Sequence, residues 1–178
     1  MNIAYLEDDL VQQTSFRECA ESLGHQVTVL CSHPFYPDWK TRYSSEKLEG
    51  ITIIRGGNKI KYPNKISLRR IVLEFWYALF ILKNIKKHQN KIDVIIPVFP
   101  PSLAFYTASF FIKKEIKKIG IIHDLQIIYS SQKKGLFNKL ITFFIKRVEK
   151  SCFKTCDTLI FLSEEMKNAA LDIYKISK

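Results

Sequence analysis

The sequence has one place where an apolar run stops at two residues able to move protons: KIGIIHDLQ (118–126), which contains His123 and Asp124. An imidazole titrates close to neutrality, so modest changes in its surroundings make it a proton donor or acceptor. A carboxylate within about 3 Å of a hydroxyl can draw off that hydroxyl's proton. The chemistry such a pair suggests is the polarisation or deprotonation of an attacking hydroxyl. A structural reading stands beside it, with Asp124 capping the following turn and His123 packed as a satisfied polar residue. The residue types alone do not choose between the two.

Other chemistries lack their parts. A backbone cradle for a dinucleotide or a nucleoside triphosphate needs glycine in the turn after the first strand, so that amides can close on the phosphates. Here that turn is LEDDLVQQ (6–13), with three carboxylates and no glycine. No GxSxG elbow and no HExxH pair is present, which removes the hydrolase and zinc-protease readings. The four cysteines, Cys19, Cys31, Cys152 and Cys156, include no CxxC pair. No metal and no cofactor is expected, and the thiols read as reduced core residues.

The elements that must position His123 and Asp124 follow from periodicity. Ile119, Ile121 and Ile122 have the continuous apolarity of a strand buried on both faces, which belongs in a parallel sheet covered by helices. Residues 3–6 form a first strand, and Glu7, Asp8 and Asp9 cap a helix that runs to about Leu23 and ends at Gly24. Residues 26–31, with Val27, Thr28 and Val29, form a second strand, followed by an ordered loop rich in proline and aromatics. Residues 51–55 are a third strand, stopped by Gly56 and Gly57.

Residues 68–88 show helical spacing, with Ile71, Phe75, Leu79 and Leu82 on one face and Lys83, Lys86 and Lys87 near the carboxyl end. A fourth strand spans 93–97, and Pro100, Pro101 and Ser102 open a helix to about Glu115. The fifth strand leads into His123. Residues 137–154 form another helix and 158–162 a sixth strand. Ser163 caps a last helix, with Glu164 and Glu165 in its first turn. This alternation implies a Rossmann-like, doubly wound parallel α/β sheet of about six strands in the order 3-2-1-4-5-6, with helices on both faces. Ligands of such sheets bind beyond the carboxyl ends of the strands, where His123 and Asp124 fall.

Composition bounds the partners. The 178 residues are 47% apolar and carry 28 Lys and Arg against 17 Asp and Glu, a formal charge of +11. That excess favours an anionic partner without saying anything of the fold. The opening MNIAYLEDD turns acidic too soon for a signal peptide. The longest apolar runs, 71–82 and 98–112, are shorter than the roughly 20 residues a spanning helix needs. The expectation is a soluble or membrane-peripheral chain.

Several stretches together resemble a family. GHQVTVLCSHPFYPDW (24–39), EGITIIR (49–55), VFPPSLAF (98–105), IHDLQ (122–126) and VEKSCFKTCDTLIFLSEEM (148–166) look like the amino-terminal domain of family 4 glycosyltransferases. The similarity is collinear and closest to the branch that builds exopolysaccharides, O-antigens and colanic acid. It implies a GT-B architecture, in which an acceptor-side and a donor-side Rossmann-like domain face each other across a cleft. On this reading residues 1–178 are the acceptor-side domain, the carboxyl-terminal nucleotide-sugar-binding domain is absent, and the chain is inactive alone or pairs with a separate second half.

The resemblance also implies roles. His123 matches the family residue that contacts the donor sugar and stabilises the transition state, and Asp124 matches the acidic residue that shapes the acceptor side. Asp8, Asp9, Pro100, Pro101, Ser102 and Gln126 fall on the donor and acceptor cleft. The family's Gly-Gly loop after the first strand is replaced by Asp8, Asp9 and Leu10, a departure at the point where a diphosphate approaches. The implied reaction is hexosyl or N-acetylhexosaminyl transfer from a nucleotide-sugar to a lipid-linked saccharide acceptor, in the cytoplasm, at the inner face of the plasma membrane.

A second hypothesis is a non-catalytic module that binds an anionic membrane surface or recruits a partner. Its support is the basic clusters, above all Lys133, Lys134, Lys146 and Arg147, interleaved with Leu140, Phe143 and Phe144 in a helix that could lie in a headgroup boundary. Against it, a stripe of Leu136, Leu140, Phe144 and Val148 could face the sheet as in any crossover helix. Nucleic acid is not expected, because no recognition motif or stacking platform accompanies the charge.

Overall fold

The computed structural model describes residues 1–7, 14–35, 37–43, 50–131 and 136–176. Six strands, β1 (Asn2–Leu6), β2 (Gln26–Ser32), β3 (Ile51–Gly56), β4 (Val94–Phe99), β5 (Lys117–Ile122) and β6 (Thr158–Phe161), form one sheet in the order β3-β2-β1-β4-β5-β6. All neighbours are parallel. This is the expected order. The chain reverses direction of winding between β1 and β4, and the ends of those strands flank the crevice that such sheets use for ligands.

The helices are α1 (Thr14–Ser22), α2 (Ile66–His88), α3 (Ser102–Ser109), α4 (Gln126–Ser131), α5 (Leu136–Thr155) and α6 (Glu164–Tyr174). Ala20 of α1 packs with Tyr5, Val29, Ile96 and Val98 on one face of the sheet. The other face meets α2, α3, α5 and α6 through Ile81, Ile85, Phe105, Phe153 and Tyr174. Continuous apolar strands such as VIIPVF, all six residues buried, require this cover on both sides.

Local signals explain the boundaries. Gly24 adopts φ +76 and its amide donates to Glu21, while His25 donates to Ala20, a left-handed close that glycine makes without strain. Gly120 leaves room where a Cβ would come within 3.0 Å of Cys156, Leu159 and Phe99, so the turn after α5 and the two neighbouring strands close on β5. Ser163 accepts from the amide of Met166, as its position implied.

Three expectations shift. The helix opened by Ser102 stops at Ser109 rather than near Glu115, and the hydroxyl of Ser109 bonds back to the carbonyl of Tyr106. The row Ile71, Phe75 and Leu79 on α2 points to solvent, while Leu73, Tyr77, Ala78, Ile81 and Ile85 are buried. The helix is apolar on nearly every side, so periodicity alone does not say which row faces in. On α5, Leu140 and Phe144 of the expected stripe are exposed, while Val148 is buried.

The reason for the last shift is the height at which α5 meets the sheet. Glu149 reaches the first amide of α4, Cys152 the carbonyl of Ser102, and Asp157 the carbonyl of Lys118. The helix thus descends from the carboxyl edge of the sheet at Glu149, and the chain just past its end meets the amino edge at Asp157. The fourteen residues from Leu136 to Glu149 run about 20 Å along the helix axis away from the carboxyl edge at the rise of an α-helix, with α4 packed beside them.

Candidate active site

His123 follows the last residue of β5, and its backbone amide donates to the carbonyl of Phe99, the last residue of β4, at 2.9 Å. The loop after β5 therefore hangs from the neighbouring strand. The imidazole is half-buried, and desolvation pushes its pKa below the ordinary value, because a buried site disfavours the cation. At neutral pH it is an uncharged ring with a donor and an acceptor nitrogen. Asp124 is also half-buried, and its Oδ1 accepts from the amide of Leu125 at 2.8 Å.

Gln126 begins α4 and touches two glutamates. Its backbone amide donates to Glu149 Oε1 at 2.9 Å. Its side-chain Nε2 donates to Glu74 Oε1 at 3.0 Å. Glu74 in turn accepts from the backbone amide of Leu103 at 3.0 Å through Oε2, and Arg70 Nε lies 3.8 Å from its Oε1. The loops after β4 and β5, which carry Pro100 to Ser102 and His123 to Gln126, are thereby tied together through one carboxylate.

Of the cleft residues named from the sequence, His123, Asp124, Gln126 and the Pro100, Pro101, Ser102 loop gather at the carboxyl ends of β4 and β5. Pro100 is partly exposed, while Pro101 and Ser102 are buried, and the hydroxyl of Ser102 has no partner among the described residues. Asp8 and Asp9 lie outside the described residues, as do Lys133 and Lys134. Lys146 and Arg147 are exposed on the projecting part of α5, and the Arg147 guanidinium sits 5.7 Å from the centre of the Phe143 ring. Among the described residues no cluster of His, Cys, Asp and Glu could hold a metal.

Sequence reasoning missed Glu74, Glu149 and Tyr174. The signal was present for the two acids: each is a lone carboxylate facing the core side of a helix otherwise apolar or basic there. A buried charge of that kind persists only where donors are waiting for it, and here the donors are the orphan amides at the starts of α3 and α4.

A profile of Glycosyltransferase Family 4 matches residues 14–178. The chain belongs to glycosyltransferase family 4. Among curated proteins no sequence matches it. A solved structure similar to this family 4 chain is sucrose-phosphate synthase from Thermosynechococcus elongatus, with a TM-score of 0.64 and 16% identity over 100% of this chain. The likeness is one of fold: a Rossmann-like half of a GT-B glycosyltransferase. The chain spans 46% of that protein's length. Among the described residues no helix is long and apolar enough to cross a membrane.

Proposed function

We propose that this family 4 chain is the acceptor-side half of a glycosyltransferase. It holds a saccharide acceptor while a nucleotide-sugar is presented from a second Rossmann-like half. In the reaction the acceptor hydroxyl oxygen bonds to the anomeric carbon, the bond from that carbon to the diphosphate breaks, and the bonding pair leaves with the diphosphate. The acceptor's proton passes to a base in the cleft. The observation that carries the reading is the half-buried imidazole of His123, its pKa lowered by burial, on a loop held at the carboxyl end of β4 by the hydrogen bond from the His123 backbone amide to the carbonyl of Phe99. A neutral ring there can orient or polarise a hydroxyl and can stabilise charge as it develops. Asp124 shapes the acceptor side.

The acceptor is lipid-linked, and the pathway is one of cell-surface polysaccharide synthesis at the inner face of the plasma membrane. Support comes from the projecting part of α5. There Leu140, Phe143 and Phe144 are 65%, 59% and 54% exposed, beside exposed Lys139, Lys146 and Arg147. Apolar side chains among cations fit the boundary of an anionic bilayer, and the projection stands at the same edge of the sheet as His123. The same face also favours the second reading, a membrane-surface module without catalysis. Replacing His123 in the active enzyme separates the two: a transferase loses turnover and keeps vesicle binding, whereas a simple membrane module is indifferent to the change.

A further inference from the structure

Glu149 is the most buried carboxylate of the chain's upper edge, fully enclosed in the described structure, and the reaction outlined above makes no use of it. Its surroundings are specific. Oε1 accepts from the amide of Gln126 at 2.9 Å, and the amide of Ile127 also points to the group. Oε2 accepts from the hydroxyl of Tyr174 at 2.5 Å. Tyr174 lies on α6, is itself enclosed, and stacks edge-on against Phe153 at 5.1 Å between ring centres. The other titratable groups facing the site are Glu74 from α2 and Cys152 one turn further along α5. The nearby Glu74 carboxylate has the Arg70 Nε 3.8 Å from its Oε1.

We infer that Glu149 and Tyr174 form a positioning pair that holds the loop bearing His123 and Asp124, so that the protonation state of one carboxyl on α5 and the seating of α6 set the geometry of that loop. The link runs through bonds already described. The ionised carboxylate accepts from two amides that open α4, three and four residues after His123. The loop between is fixed at its other end by the amide of His123 on Phe99. Freed from Glu149, the α4 end loses its two charge-assisted amide bonds and keeps the Gln126 side chain on Glu74. The ionised form satisfies the amides, while desolvation by burial opposes it. Burial therefore raises the carboxyl to about 7, and the bond from Tyr174 pulls in the other direction. Protonation turns one acceptor oxygen into a donor and so loosens either the amides or the tyrosine. Any effect on turnover rests on the transferase reading of His123; the loop geometry does not.

The test is a pH titration of this chain by amide and histidine NMR, in wild type, Glu149→Gln and Tyr174→Phe. In wild type the amides of Gln126 and Ile127 should shift together with a midpoint of about 7. Glu149→Gln should abolish that step and raise their hydrogen exchange about tenfold, the consequence of losing one charge-assisted bond. Tyr174→Phe, which removes no carboxylate, should keep the step and move its midpoint upward. His123 should titrate closer to its ordinary value in Glu149→Gln, as the loosened loop admits water. Should Glu149→Gln not fold, the wild-type step and the Tyr174→Phe shift decide the matter. Loop amides that show no step near neutrality in wild type, or exchange and His123 titration unchanged in folded variants, would overturn the inference and leave Glu149 a core residue. A loosened loop in an enzyme whose turnover ignores His123→Ala would instead retain the positioning pair and remove the catalytic reading.

Discussion

The amide of His123 donates to the carbonyl of Phe99 at 2.9 Å, which suspends the loop after β5 from the end of β4. Two strands therefore fix the height of the imidazole, and two glutamates from below fix the path of the chain after it.

His123→Ala should lower the turnover of the active enzyme about 10²- to 10³-fold, the usual effect of removing one stabilising group at a reacting centre. Folding should change by less than about 1 kcal/mol, because the side chain is only half-buried and its backbone anchor remains. The wild-type rate should hold at neutral pH and fall on the acid side, below the ordinary histidine range, since burial lowers this pKa. Steady-state rates and melting of the same preparations check both.

Stability should depend on pH through Glu149. Its pKa is raised from 4.5 to about 7, so between those values the folded state holds a proton that the unfolded state has released. The contribution is thus fully present below pH 4.5 and is lost as pH rises through about 7, with an upper size of about 3 kcal/mol. His123 works in the other sense: its stabilisation is present above the ordinary histidine value and is lost as pH falls toward the lowered one. Melting temperature should fall from pH 5 toward pH 8 in wild type and flatten in Glu149→Gln; a wild-type curve that rises over that range would contradict the assignment.

Much of this was legible in the amino acids. Strand order followed from buried β-branched runs and the right-handed crossover rule, and Gly24 and Ser163 marked helix ends by chemistry that works locally. Three things were not. The six-residue α4 has no period long enough to read, and it exists because Glu149 and Glu74 engage its start. The inward row of α2 depended on which of two apolar rows met α3. The exposure of Leu140 and Phe144 depended on where α5 first touches the sheet. Each is a matter of tertiary height or rotation, which periodicity does not encode.

The chain should bind vesicles containing anionic lipid, each cation near the surface adding about 1 kcal/mol at low salt. Binding should weaken steeply as salt rises and screening shortens, and it should drop when Lys133, Lys134, Lys146 and Arg147 are neutralised together. Changing Phe143 and Phe144 to serine should reduce binding at every salt concentration, because that part is apolar burial. Co-sedimentation at low and high salt reads each case, and equal partitioning to neutral and anionic vesicles would return these cations to an ordinary solvated surface.

Packing at Gly120 offers a test of the sheet beneath the site. Gly120→Ala places a methyl within 3.0 Å of Cys156, Leu159 and Phe99, and such overpacking should cost about 1 to 3 kcal/mol. Denaturant unfolding should show it as a lower midpoint with an unchanged slope.

Calorimetry on the purified chain tests the proposed acceptor-side role most directly. Titration with a short prenyl-diphosphate saccharide in mild detergent should give saturable binding, weakened by changes at Asp124. Titration with UDP- and GDP-sugars should give none that is measurable, since residues 6–13 contain no glycine to admit a diphosphate and the proposed reading has a second half present the donor. Micromolar binding of a nucleotide-sugar by these 178 residues, with no binding of the saccharide, would contradict the account.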